Sequence, residues 1–347
     1  MQEMDNVEEL MTVDEAQEKN FIWTWTSNAR GSKVSLWLPY FQHVEKIPRS
    51  KKWALDYNGG RLLFEPEKID FIMFYGASGE LPLDFLDTLA QHQIIFLIHR
   101  RNQLHPYIFY PPGLIDKSDV ITKQILVREH AQKRAYLAKV LIKARLERFS
   151  STPSAYALAI EKVKKATSVK EIRNIEANAT ARYWKNWFEE LGVDETRRSE
   201  GSLQTALDAG SKFLHGILLR WILFHKLSPS HGFLHELTSY QSLVYDFMEP
   251  FRYLIEASVA KAWQQVGDDE KKLVAYSTNE LKSLLDEIVY VPATRQYVRR
   301  KNLLHGVVLA LRSYLVGETK RFVIPVEGRK AGGRPPQVAY KLPGEVR

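Results

Sequence analysis

Residues 69–100, IDFIMFYGASGELPLDFLDTLAQHQIIFLIHR, decide the character of the first third of the chain. Two runs, IDFIMFYG and IIFLIHR, are rich in β-branched and aromatic residues and have the length of buried strands. Between them, LPLDFLDTLAQHQ repeats apolar residues at three- and four-residue spacing, which is typical of an amphipathic helix. The stretch therefore predicts two strands joined by a helix.

The flanking sequence has the same β-rich character. FIWTWTS, KVSLWLPY, RLLFE and PYIFY are further strand-like runs, and DYNGGR at residues 56–61 is typical of a hairpin turn. We therefore expect a small β-rich N-terminal domain with one helix over residues 21–112. Residues 1–20, with seven carboxylates against one lysine, are predicted to form an acidic leader in front of it.

The pattern changes after YPPGLIDKS, and we assign residues 113–119 to a linker. From Val120 onward apolar residues recur at helical spacing, up to a last segment at 294–317. Residues 120–318 are thus predicted to form a larger all-helical catalytic domain, and the fold class is α+β. Residues 319–347 form a basic, Pro/Gly-rich tail that we expect to be disordered or loosely docked.

The composition narrows the class of protein. The chain of 347 residues carries a formal net charge of +8, which favours a polyanionic partner. It contains no cysteine, which excludes disulfides and thiolate metal sites and agrees with a reducing cytosol. No apolar run approaches the roughly 20 residues of a bilayer span. We therefore expect a soluble, intracellular protein that does not bind a membrane.

The predicted helical stretch at 120–149 is strongly basic, with eight cations against two carboxylates. A phosphate backbone is the usual partner of such a surface, although a solvated helix face is the alternative for any single basic helix. Together with cations elsewhere in the helical domain, this distribution favours nucleic-acid binding. The candidate DNA-binding residues are Lys123, Arg128, Lys133, Arg134, Lys139, Arg182, Arg299 and Arg300.

The candidate catalytic residues begin in GFLHELTSYQSLVYDFMEPFR, residues 232–252. Asp246 and Glu249 lie one helical turn apart and face the same way, which is costly unless a cation compensates them. A proton, Arg252 or a bound metal ion are the groups that could compensate them. Pro250 removes one helical hydrogen bond and predicts a bend beside the two carboxylates.

The two histidines at the start of this segment do not form a zinc-protease motif. His231 and His235 are four residues apart, but Gly232 stands where a His-Glu-x-x-His helix needs its glutamate. One histidine with several carboxylates and no cysteine suits Mg²⁺ or Mn²⁺ better than structural zinc.

Glu176 is a further candidate ligand from a separate segment. It lies at the margin of the apolar face of the helix predicted at 170–191, where a carboxylate must be neutralised or paired. A salt bridge to Arg173 or Arg182 is the alternative role for this side chain.

Three segments resemble the motifs of a known family. IEANATARY (175–183), KLSPSHGFLH (226–235) and SLVYDFMEPFR (242–252) are similar, in order and context, to the motifs of the CRISPR-associated spacer-acquisition integrases, the first Cas family. The segment at 69–100 and the basic helix after residue 120 are also similar to that family. The chain departs from its pattern where Ala177 and Lys226 replace glycines and where Tyr253 stands in place of a common proline.

The resemblance implies a catalytic site, a reaction and a set of partners. Glu176, His235 and Glu249 take the positions of the family's metal ligands, for Mg²⁺ or Mn²⁺, and Asp246 takes that of an additional catalytic carboxylate. The implied reaction joins prespacer 3′-hydroxyl ends into a CRISPR array by transesterification. The implied partners are DNA (prespacer and CRISPR leader-repeat), a second copy in a homodimer and the small second Cas protein, in the cytoplasm of a prokaryote.

Other functions stay open at this point. A transposon-type integrase of the same fold would act on the ends of its own element. A structure-selective nuclease acting on branched DNA would use the same residues with water as the nucleophile. A non-catalytic DNA-binding subunit would tolerate alanine at Glu176, His235 and Glu249.

Overall fold

A computed structural model describes the chain at residues 23–27, 33–38, 40–57, 60–100, 106–111, 118–149, 153–197, 199–330 and 338–346. The chain divides into two compact units, Met1–Ile115 and Asp116–Arg347. The predicted acidic leader at 1–20, most of the predicted linker at 113–119 and residues 331–337 of the tail lie outside the described residues.

The first unit is built mainly from strands, with one described α-helix. Its described strands are β1 (Trp23–Ser27), β2 (Lys33–Leu38), β3 (Phe41–Lys46), β4 (Trp53–Tyr57), β5 (Gly60–Phe64), β6 (Ile69–Phe74), β7 (Ile95–Ile98) and β8 (Tyr107–Phe109), and its helix is α1 (Leu83–His92). Five strands form a mixed sheet in the order β1-β2-β6-β7-β8, and β3-β4-β5 form an antiparallel meander. Tyr57 pairs with Gly60, which confirms the hairpin predicted at residues 56–61.

The segment at 69–100 forms the centre of this unit as predicted. β6 and β7 pair in parallel, and a parallel pair needs a crossover connection, which α1 supplies. All six residues of β6 are buried, which explains why it is apolar apart from Asp70, whose carboxylate accepts the Ser35 hydroxyl at 2.8 Å. Phe85 and Leu89 of α1 are fully buried, and the Phe85 ring meets Phe96 of β7 edge-on at 5.8 Å between centroids.

The second unit is largely helical. Its described helices are α2 (Val120–Glu129), α3 (Ala131–Leu146), α4 (Pro153–Lys165), α5 (Val169–Glu190), α6 (Ser202–Phe224), α7 (Ser242–Met248), α8 (Arg252–Val266), α9 (Glu270–Asp286) and α10 (Lys301–Leu315). Most of α6 is buried, and α7, α8, α9 and α10 pack around it. No helix within the described ranges is both long and apolar enough to cross a membrane. The predicted α+β class is confirmed.

The helical unit also contains a two-stranded hairpin where the sequence predicted helix. β9 (Ile288–Val291) pairs antiparallel with β10 (Gln296–Arg299), so the predicted helix at 294–317 begins only at Lys301. Arg295 has a left-handed backbone (φ 58°), which suits a turn and interrupts a helix. Burial alternates along β10, the period of a strand rather than a helix.

The described parts of the tail differ from the disordered or loosely docked segment that we expected. Phe322, Ile324, Tyr340 and Leu342 are buried. The Gln296 side chain donates to the Leu342 carbonyl at 3.0 Å and accepts from the Leu342 N–H at 2.9 Å. Apolar residues scattered through a basic, Pro/Gly-rich sequence show no period, so their joint burial is not visible in the sequence.

Candidate active site

Asp246 of α7 organises the loop that carries His235. Its buried carboxylate accepts the backbone N–H groups of Phe233, Leu234 and His235, the last two at 3.0 Å. Oδ1 also bonds the Nδ1 atom of His235 at 2.7 Å. These four donors fill the acceptor positions of a carboxylate. Asp246, which the family resemblance suggested as a catalytic carboxylate, is thus placed to orient His235.

The loop lies close to α7 because Gly232 has no side chain. A Cβ atom at Gly232 would lie 2.8 Å from Oδ2 of Asp246 and 2.9 Å from the carbonyl carbon of Ser242. The Gly232 N–H donates to Oγ of Ser242 at 2.9 Å, and this hydroxyl donates to the Ser230 carbonyl. Gly232, which rules out the zinc-protease motif, is therefore required for the close approach of the loop backbone to α7.

Two of the predicted DNA-binding arginines hold the other side of the loop. Arg128 donates to the carbonyls of Gly232 at 3.0 Å and Glu236 at 2.7 Å. Arg134 donates to the carbonyl of Phe233 at 3.0 Å and to the Glu236 carboxylate at 2.9 Å. Their guanidinium groups are thus engaged in supporting the loop, and their contact with DNA stays a prediction.

Glu249 lies at the break between two helices. α7 ends at Met248, a 3₁₀ turn covers Glu249–Phe251, and α8 begins at Arg252, which agrees with the bend predicted at Pro250. The Glu249 side chain is 3% exposed, and its oxygens contact Arg145 and Arg252. Burial alone would raise the pKa of Glu249, but the positive charges of Arg145 and Arg252 outweigh it and lower the pKa to about 2. Glu249 is therefore ionised at neutral pH.

Arg145 links Glu176 to Glu249. Its Nη1 atom lies 3.1 Å from Oε1 of Glu176 and also contacts Oε2 of Glu249. The hydroxyl of Thr180 donates to Oε1 of Glu176 at 2.7 Å. The partner of Glu176 among the described residues is therefore Arg145, and neither Arg173 nor Arg182 takes the predicted role. Arg145 is one of the eight cations of the basic stretch at 120–149, but it is buried.

A fourth acidic side chain, which the sequence analysis missed, lies close to Arg145. Glu256 of α8 is buried and accepts the hydroxyl of Tyr183 at 2.7 Å. Burial raises the pKa of Glu256, and the charge of Arg145 only partly offsets it. Glu256 follows Glu249 by seven residues, which is two helical turns on one face, and this spacing was the available signal. Nothing in the sequence distinguished Arg145 from the other cations of its segment.

The donor set suits a hard divalent cation. The hydrogen bond from Nδ1 of His235 to Asp246 leaves Nε2 as the nitrogen for a ligand, the arrangement that typically orients a metal-binding histidine. Glu176 and Glu249 supply carboxylate oxygens, which Mg²⁺ and Mn²⁺ prefer. However, no three acidic or histidine side chains within the described ranges are grouped closely enough to hold a metal ion. The cation between Glu176 and Glu249 is the guanidinium of Arg145.

The other predicted DNA-binding residues are spread over the helical unit. Lys133, Arg182 and Arg299 are exposed, and Lys123 is partly exposed. The Lys139 ammonium donates to the Lys164 carbonyl at 3.2 Å. Arg300 pairs with Glu287 and Glu327. Binding of DNA by these side chains stays a prediction.

The chain is similar in sequence to known proteins. Residues 53–272 match the sequence pattern of the family described as CRISPR associated protein Cas1. A CRISPR-associated endonuclease Cas1 of Moorella thermoacetica is 25% identical over 302 residues, which cover 77% of this chain and 92% of that protein.

Solved structures give the same fold. A casposase bound to integration product has a TM-score of 0.66 at 21% identity, covering 82% of this chain and 91% of the casposase chain. A chain of a Cas6-RT-Cas1–Cas2 complex has a TM-score of 0.65 at 11% identity, covering 85% of this chain and 36% of the other.

Proposed function

Since the chain belongs to the CRISPR-associated Cas1 family, we propose that it is a metal-dependent DNA integrase and endonuclease of CRISPR adaptation. One observation carries the proposal beyond family membership. Arg145 joins Glu176 and Glu249, carboxylates from two helices far apart in sequence, and His235 is fixed by Asp246 on the loop beside them. This convergence supports a single site that binds a cation and a phosphodiester.

Each residue of the site has a separate role in the proposed transesterification. Glu176, Glu249 and Nε2 of His235 would hold Mg²⁺ or Mn²⁺, while Asp246 keeps the imidazole in orientation. Such an ion, when bound, polarises a scissile phosphate and stabilises the departing oxygen. A prespacer 3′-hydroxyl forms a new P–O bond and loses its proton. One P–O bond of the target strand breaks, its departing oxygen takes up a proton to become a hydroxyl, and no covalent bond to the protein forms.

The partners follow from charge and from the relatives. The basic face of α2 and α3 would bind phosphates of prespacer and leader-repeat DNA. Insertion of two ends requires two sites at a fixed separation, and we propose a homodimer for this reason. The likeness to a chain from a Cas1–Cas2 complex supports the small second Cas protein as a further partner.

The likeness to a casposase favours a second candidate function. That protein was solved with an integration product, and its fold is shared over most of this chain. A transposon-type integrase would use the same four residues on the ends of its own element. The two functions differ in the DNA they accept, so substrate choice separates them.

An integration assay tests the proposal. Labelled prespacer, supercoiled plasmid with a CRISPR array, and Mn²⁺ are incubated with and without EDTA. We expect EDTA and each of Glu176→Ala, His235→Ala and Glu249→Ala to abolish integration. His231→Ala is the matched control, because His231 lies in the same loop but bonds Ser228 instead of the site.

The outcome distinguishes the alternatives. Integration that survives in His235→Ala contradicts the site assignment. Joining of transposon ends but not of prespacers indicates the transposon-type integrase. Cleavage of branched DNA with no strand transfer from 3′-hydroxyl ends indicates the structure-selective nuclease.

A further inference from the structure

Arg145 stands where the proposed metal ion must bind. Its Nη1 atom contacts both Glu176 and Glu249, and only 7% of its side chain is exposed. A guanidinium and a divalent cation between the same two carboxylates would repel each other strongly, because little water screens them there. Metal binding at this place therefore requires Arg145 to move, and a buried guanidinium that moves needs another acceptor.

Glu256 is a further acidic side chain close to Arg145. Its Oε2 atom accepts the Tyr183 hydroxyl at 2.7 Å. Within the described residues, Oε1 of Glu256 and Nε of Arg145 are buried and have no hydrogen-bond partner. The two side chains are near enough for their charges to interact. A buried acceptor and a buried donor thus lie unpaired in one neighbourhood, which is rare in folded proteins.

We propose that Arg145 acts as the resident cation of the metal-free site and transfers to Glu256 when a divalent cation binds. The inference rests on the proposed function, because it concerns the same metal site. Glu176 and Glu249 keep a cation in both states. Without metal, Arg145 neutralises Glu176 and Glu249. With metal, Arg145 pairs with Glu256, whose Oε1 atom receives the guanidinium. Glu256 is a positioning residue, since it acts through Arg145.

The test measures Mn²⁺ binding without DNA, by calorimetry and by the electron paramagnetic resonance signal of free Mn²⁺. Arg145→Met removes the competing cation, and Mn²⁺ affinity is expected to rise by about tenfold or more. Glu256→Gln removes the charged acceptor, and affinity is expected to fall by about ten- to a hundredfold, the effect of one hydrogen bond to a charged group. In the Arg145→Met background, Glu256→Gln is expected to change nothing, because the residue through which it acts is gone.

Glu327→Gln is the matched control. Glu327 is a partly buried carboxylate that, like Glu256, accepts a tyrosine hydroxyl, but its tyrosine is Tyr253 and it pairs with Arg300 and Arg148. Its replacement is expected to leave Mn²⁺ affinity unchanged. If Arg145→Met does not fold, Arg145→Lys replaces it, and the weaker grip of one ammonium on two carboxylates must still raise Mn²⁺ affinity.

The results separate this inference from the proposed function. A wild-type protein that binds no Mn²⁺ contradicts the metal site and with it the function. A wild-type protein that binds Mn²⁺ as tightly as Glu256→Gln contradicts the transfer alone. The transfer is equally contradicted if Arg145→Met binds Mn²⁺ no more tightly than wild type, or if Glu256→Gln weakens binding by the same factor in both backgrounds.

Discussion

Replacement of Glu249 by glutamine tests the electrostatics of the site through stability alone. Glutamine keeps the shape of the side chain and removes its charge, which leaves Arg145 buried with fewer partners. The pKa of Glu249 is lowered from 4.5 to about 2, although burial by itself would raise it. At about 1.4 kcal/mol per unit, this shift corresponds to about 3 kcal/mol in favour of the ionised folded form. Solvent screening is minor, since the side chain is 3% exposed.

The pH dependence follows from the sign of the shift. The folded-state pKa lies below the unfolded value, so the ionised group stabilises the fold fully above pH 4.5, and this contribution is lost as the pH falls through about 2. Glu249→Gln has no such group. The free energy of unfolding of the wild type is therefore expected to exceed that of the variant by about 3 kcal/mol at neutral pH. The two free energies should converge in acid.

Urea denaturation followed by far-ultraviolet circular dichroism, in buffer with EDTA, provides the measurement. Helical signal comes mainly from the second unit, where Glu249 lies. Glu147→Gln serves as the control, because Glu147 forms an exposed salt bridge with Lys143 at 3.4 Å, and its replacement should change stability by less than about 1 kcal/mol. A Glu249→Gln protein as stable as the wild type at neutral pH, or a difference that stays constant down to the acid limit, would refute the reasoning.

Three further outcomes are expected. Gly232→Ala should lower integration at least tenfold, because its Cβ would lie 2.8 Å from Oδ2 of Asp246 and displace the loop; normal integration by this variant would contradict the packing. The affinity for Mn²⁺ should fall as the pH drops from about 8 to about 5 in a titration, because a ligand imidazole must be neutral. Burial lowers the pKa of His235, but the hydrogen bond and charge of Asp246 outweigh it and raise the pKa above 6.5. An affinity for Mn²⁺ that does not change with pH would exclude His235 as a ligand. Glu327→Gln should lower the free energy of unfolding by about 1–3 kcal/mol and speed proteolysis of the tail, because the Tyr253 hydroxyl loses a charged acceptor at 2.8 Å. Unchanged proteolysis would show that Glu327 does not hold the tail.

Local patterns in the sequence predicted much of the architecture. The change of period within residues 69–100 predicted β6, α1 and β7, and helical spacing predicted most of the second unit. The hairpin of β9 and β10 was missed because its strands are four residues long, too short for a period to stand out against neighbouring helices. The docked tail was missed because basic, Pro/Gly-rich composition usually accompanies disorder, and isolated apolar residues within it give no periodic signal.

The identities of the candidate ligands and their order along the chain were determined by the sequence alone. Glu176, His235 and Glu249 stand in motif-like segments, and the pair Asp246 and Glu249 shares a helix face by spacing. The cation that faces them was decided only by tertiary structure. Arg145 is one of eight similar cations in its segment, and periodicity tells which face of a helix is apolar but not which distant helix that face meets. Packing of α3 against α5 and the turn after α7 buries this one arginine among Glu176, Glu249 and Glu256, and burial makes its charge decisive for the site.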